Sequence, residues 1–197
     1  MSGGVGAGKS AVAKILAELG AGVIDSDVLS RQELDTQEIK DALVRWWGSG
    51  VLEAGGSINR QKVASIVFGD PSQRHRLESL LHPRIAVRRS DLIAEFEARA
   101  DIRMIVLDSP LLYEVDLDLL CEAVVFVEAD EAVRKQRSEK DRQWSEEELS
   151  RREKSQQPLD MKRARADYIC VNNSSLDALR DRVKEVFTQI VSKSCTV

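Results

Sequence analysis

Apolar residues follow two rhythms along this chain. Short uninterrupted runs occur at AGVID (21–25), MIVLDS (104–109), AVVFVEA (123–129) and YICVN (168–172). Each has the length and β-branched content of a strand buried on both faces. Between them, apolar positions recur at three–four spacing: Val12, Ile15, Leu16 and Leu19; Ile39, Leu43, Val44 and Trp47; Leu77, Leu80 and Leu81; Leu176, Leu179, Val183, Val186 and Ile190. That spacing predicts helices with one buried face. Gly20 should stop the first, Pro83 should open a new helix after His82, and Ser174 with Asp177 predicts a capping box for the last. Strands alternating with helices predict an α/β fold with a doubly wound parallel sheet. About 80 residues separate the first two strands, far more than one crossover helix needs, so a helical insertion over 28–98 is expected. Such insertions commonly hold a second substrate.

The stretch GGVGAGKS, Gly3 to Ser10, changes that picture most. It matches G-x-x-x-x-G-K-[ST], and its glycines let the backbone turn amides toward an anion. The run Gly4, Val5, Gly6, Ala7, Gly8, Lys9, Ser10 and Ala11 reads as a phosphate cradle leading into a helix N-terminus. Lys9 would bridge the outer phosphates of ATP, and the Ser10 hydroxyl would ligate Mg²⁺. A flexible glycine-rich terminus is the plain alternative, and the helix and strand that follow in the required order oppose it.

Composition narrows the class. The chain has 197 residues, 43% hydrophobic and 31% charged, enough for one buried α/β core. A net charge of −4 with scattered Lys and Arg gives no footprint for nucleic acid. No apolar run approaches a membrane span. Cys121, Cys170 and Cys195 lack metal-ligand spacing and read as reduced thiols of a cytoplasmic protein, expected to be a monomer or weak oligomer.

Further chemistry clusters at predicted strand ends. VIDSD places Asp25 and Asp27 at the C-terminal end of the second strand, where ligands gather in open α/β sheets. On an extended segment both carboxylates would face one way, toward the phosphates. A carboxylate there suits a base for a hydroxyl acceptor; equally, Asp is a common helix cap. Asp108, in DSPLLYE, is either a magnesium-supporting carboxylate or a turn residue. The run from Arg134 to Gln156, with Arg137, Arg142, Arg151 and Arg152, reads as a solvated helix pair or as an arginine-bearing lid (134–158).

Taken together, GGVGAGKSAVA, VIDSDVLSR, INRQKVASIVFGDPSQRHRLESLLHPRI, DSPLLYE and SQQPLDMKRARADYICVNNS resemble the dephospho-CoA kinase family, itself similar to nucleoside monophosphate kinases. The selective features are D-x-D eighteen residues beyond the P-loop lysine, L-E-x-x-x-H-P and P-L-L-x-E. The resemblance implies a nucleotide-binding core (1–27, 99–133, 159–197), a CoA-substrate domain (28–98) and a lid. It implies transfer of phosphate from ATP, with Mg²⁺, to the ribose 3′-hydroxyl of dephospho-CoA. It assigns Asp27 as base, and matches Lys9, Ser10 and Arg142 to phosphate, magnesium and lid positions. Gln156, Asn172 and Asn173 fall in stretches near the ATP purine; Arg31, Arg60, His82 and Tyr113 fall in segments shaping the acceptor site. A lone His such as His82 is otherwise most often a cap or packed residue.

Three departures stand out. Ala11 replaces the usual Ser or Thr, QELDTQE after Arg31 is shorter than the family's proline–glycine loop, and only Met1 and Ser2 precede the P-loop. The family's first strand is therefore expected to be missing, with upstream residues supplying it in the natural protein. Other readings are a nucleoside or sugar kinase of the same fold, or a truncated nucleotide-binding module with little activity. A GTPase is disfavoured because no N-K-x-D segment occurs.

Overall fold

The computed structural model describes residues 1–142 and 156–194, except for the side chains of 140–142 and 194. The four apolar runs are strands: β2 (Ala21–Asp25), β3 (Met104–Asp108), β4 (Val125–Glu128) and β5 (Tyr168–Val171). β4 and β5 pair in parallel, from Val125 opposite Tyr168 to Glu128 opposite Val171. β2 and β3 form a separate two-stranded ladder.

The strand before the phosphate loop is present in shortened form. β1 (Ser2–Gly3) pairs in parallel with β4, Ser2 opposite Phe126 and Gly3 opposite Val127. The buried Met1 ammonium donates to the Leu107 carbonyl of β3 at 2.7 Å. β1 satisfies part of the β4 edge, and the Met1 ammonium makes the contact with β3. Burial pushes the ammonium pKa down from its ordinary value.

The chain divides into two compact units, Met1–Ile24 with Arg99–Val197, and Asp25–Ala98. In the first, α1 (Lys9–Glu18) and α8 (Leu176–Ser194) pack together, and Val12, Leu16, Val106, Val127, Cys170, Leu179, Val183 and Phe187 share one core. Burial pushes the Cys170 thiol up to about 11. Cys121 is half-buried and Cys170 buried, both as free thiols, while Cys195 lies outside the described residues. Gly20, at φ 95°, turns the chain out of α1 as expected. At the start of α8 the cap is Ser175, whose hydroxyl accepts the Ala178 amide at 3.3 Å, rather than the predicted Ser174. The first unit also holds α6 (Glu131–Arg142) and α7 (Leu159–Ala164).

The second unit is helical: α2 (Ser26–Leu34), α3 (Gln37–Trp47), α4 (Arg60–Gly69) and α5 (Pro71–Glu97). Its own core joins Ile39, Leu43, Val51, Ile58, Val63, Leu77 and Leu81. The two helices expected on either side of Pro83 are one, and Pro83 lies inside α5. Proline removes one bond to the residue four before it, and both Pro83 and Ser79 are exposed, so water can meet the released carbonyl. Among the described residues, no helix is long and apolar enough to cross a membrane.

Candidate phosphate-binding site

The phosphate loop runs from β1 into α1. Gly6 and Gly8 have φ of 74° and 89°, conformations that favour glycine. Space forbids a side chain there as well. A Cβ on Gly6 would lie 2.5 Å from the Arg134 carbonyl and 2.7 Å from Ser138 Oγ, and one on Gly8 would collide with the Asn172 amide.

Those neighbours hold the loop by its carbonyls. Asn172 Nδ2 donates to Ala7 O at 2.8 Å, and Arg134 Nη1 donates to Val5 O at 3.3 Å. Asn172 is itself fixed: its amide donates to Glu128 O at 2.7 Å, and Arg137 donates to its carbonyl at 3.1 Å. Arg134, Ser138 and Asn172 are all buried. With carbonyls drawn back by side chains, loop amides are left to converge on an anion. Gly8 caps α1 without a side-chain bond, and no acidic residue lies in the first turn. The helix start, with no side-chain cap, adds its dipole to the same place. Lys9 and Ser10 are the first two residues of α1, Ser10 exposed and Lys9 half-buried.

The other expected site residues divide between the two units. In the first, Asp108 is buried at the end of β3. Asn172 is engaged with the loop through Ala7 O. Asn173 forms a reciprocal pair with Asp130, accepting its amide at 2.8 Å and donating to its carboxylate at 2.9 Å. Gln156 accepts from Lys162 at 3.3 Å. Tyr113 is a buried core residue beside Leu112, Leu117 and Val124, and burial raises its phenol pKa. Arg142 closes α6, and most of the expected lid, 143–155, lies outside the described residues.

In the second unit, the expectation of an extended D-S-D segment is corrected. The helix starts at Ser26, so Asp25 is its cap, accepting the Val28 amide at 2.9 Å, while Asp27 lies exposed in the first turn. Helix nucleation overrides the alternation that would align the two carboxylates. Arg31 donates to the Asp27 carbonyl at 2.9 Å. Arg60 pairs with Asp35 at 3.3 Å, and His82 is exposed on α5. Among the described residues no group of three or more His, Cys, Asp or Glu could hold a metal ion. A magnesium ion carried largely by nucleotide phosphates needs no such cage.

Arg134, Arg137 and Ser138 adjoin the loop and its Asn172 clamp, contacts that an undifferentiated basic run does not single out. Their three–four spacing, on a helix beginning where β4 ends, was the available signal.

The family model for dephospho-CoA kinase (CoaE) matches residues 1–178. A dephospho-CoA kinase of Syntrophotalea carbinolica is 38% identical over 97% of this chain and 90% of that protein. One of Halalkalibacterium halodurans is 35% identical over 94% and 92%. Among solved structures, a Thermus thermophilus protein superposes with a TM-score of 0.80 at 31% identity, covering 96% of this chain and 95% of that one. The Acinetobacter baumannii shikimate kinase, at 17% identity and a TM-score of 0.50 over 98% and 91%, shares the fold alone.

Proposed function

The chain belongs to the dephospho-CoA kinase family, and from that premise we propose that it moves the γ-phosphoryl group of ATP to the ribose 3′-hydroxyl of dephospho-CoA. The observation that carries the reading is the clamped phosphate loop running into an uncapped helix start. In the transfer, the 3′-oxygen forms a bond to the γ-phosphorus as the bond to the β,γ-bridging oxygen breaks. ADP leaves with that electron pair, and the hydroxyl proton passes to the Asp27 carboxylate. Lys9 stabilises charge on the outer phosphates, a role the family resemblance extends to Arg142, whose side chain lies outside those described.

The residues fit Mg²⁺: Ser10 is exposed at the helix start, and Asp108 is a buried carboxylate at a strand end. Ser10 would hold it, supported by Asp25 or Asp108, and when bound it neutralises phosphate charge. Exposed Asp27 is free of a capping role, since Asp25 performs that task.

The test is ADP release from ATP with a panel of acceptors. Dephospho-CoA should stimulate it, and nucleosides, sugars and shikimate should not. Asp27→Asn should keep ATP affinity while lowering kcat by about 10²–10⁴. Equal stimulation by a nucleoside or sugar, or near-normal turnover of the Asn variant, would overturn the assignment.

A further inference from the structure

Lys162 is fully buried, with 0% of its side chain exposed. Charged side chains are almost never so enclosed unless paired. Its ammonium lies 2.8 Å from Glu114 Oε1, donates to the Pro110 carbonyl at 2.9 Å and reaches Gln156 Oε1 at 3.3 Å. The Gln157 amide donates to the same Glu114 oxygen at 2.7 Å. The Lys162 carbonyl accepts the Tyr113 hydroxyl at 3.4 Å. One ammonium thus gathers the loop leaving β3 (110–114), the stretch 156–157 and α7. From α7, Leu159 reaches the phosphate loop: a Cβ on Gly4 would lie 3.0 Å from its Cδ1.

We propose that Lys162 is a positioning residue, a pin that sets α7 against the phosphate loop and ties the stretch 156–157 to the loop 110–114. Hydrophobic packing alone would not require a cation at this point. The three acceptors come from two separate stretches of chain, 110–114 and 156, and a group with several donors on one centre satisfies all of them. Glu114 Oε2 is buried without a hydrogen-bond partner among the described residues, so the ammonium is the charge that makes this carboxylate tolerable.

The kinetic consequence rests on the kinase reading; the structural consequence does not. Lys162→Met should weaken ATP affinity about tenfold, measured by calorimetry well below the melting temperature, because a displaced α7 shifts the loop's support. Amide exchange should rise at Gln157 and α7 while β4 and β5 stay protected. The double variant Lys162→Met/Glu114→Gln removes the stranded carboxylate and should regain melting temperature while keeping the weakened ATP affinity. If Lys162→Met does not fold, Glu114→Gln, which keeps shape and an acceptor for Gln157, carries the same measurements. Unchanged ATP affinity, or affinity that returns together with stability in the double variant, overturns the pin and leaves a merely structural residue. Should the parent chain bind ATP yet phosphorylate no dephospho-CoA, the kinase reading fails, and the pin is still decided by exchange and ATP affinity.

Discussion

The phosphate loop and the helical unit 25–98 are held in opposite ways. Around the loop, polar side chains are buried or half-buried and reach across the sequence: Asn172 to Ala7, Arg134 to Val5, Arg137 to Asn172. In the helical unit, the candidate residues are held locally or stand in solvent. Arg31 turns back onto its own helix, Arg60 meets Asp35 at the surface, and His82 is exposed. The core beneath them is almost wholly apolar. Fixed donors in a low-dielectric setting act on charge without reorganising, whereas exposed long side chains must be ordered by whatever binds them. On the proposed function, the first arrangement would suit a triphosphate and the second an acceptor that orders its own contacts.

The comparison breaks most sharply at Gly8. Gly8→Ala adds a Cβ against the Asn172 amide at a φ of 89°, so loop and clamp cannot coexist. Loss of ATP binding by about 10²-fold or more is expected, with the fold retained by circular dichroism, since backbone strain of this kind costs about 1–3 kcal/mol before the clash is added. Binding within a few-fold of the parent would show the loop is not rigidly clamped.

Asn172→Ala should have a smaller effect. It leaves the Ala7 carbonyl buried and strands an Arg137 donor, a cost of about 1–3 kcal/mol. Melting temperature and ATP affinity should fall together, with kcat at saturating ATP changed least. A variant that matches the parent in both would reduce Asn172 to a bystander.

Arg60→Ala marks the weak end. Exposed pairs contribute about 0–1 kcal/mol, and Asp35 keeps the Ile58 amide at 3.0 Å, the first reason its carboxyl lies below the usual range. Stability should scarcely move at neutral pH. The depressed Asp35 pKa means its contribution is present above the ordinary carboxylate value and fades as pH falls through the folded one, in the variant as in the parent. Only the KM for dephospho-CoA should rise. A large drop in melting temperature would mean that the helical unit depends on buried polar ties after all.

Periodicity located all four buried runs to within a residue or two, because strand burial is written locally in uninterrupted apolar stretches. The loop's role was legible because glycine, lysine and serine at fixed spacing leave few alternatives. What sequence missed was set by distant contacts. Ser175 rather than Ser174 caps α8, and α5 runs through Pro83; at Asp25 the residues left two readings open, and the structure takes the helix cap. Each is a choice between local options of similar energy, and packing decided it.

By itself, then, the sequence determined the loop–helix–strand run from Gly3 to Asp25 and, through motifs spread over nearly the whole chain, the family. Tertiary structure alone decided that two residues, Ser2 and Gly3, suffice to pair with β4. It also turned Asn172 into a loop clamp and enclosed the Lys162 ammonium among Pro110, Glu114 and Gln156. A buried polar group must find its partners wherever the fold brings them, and those partners lie 165 residues away for Asn172 and 52 for Lys162, beyond the reach of any local pattern.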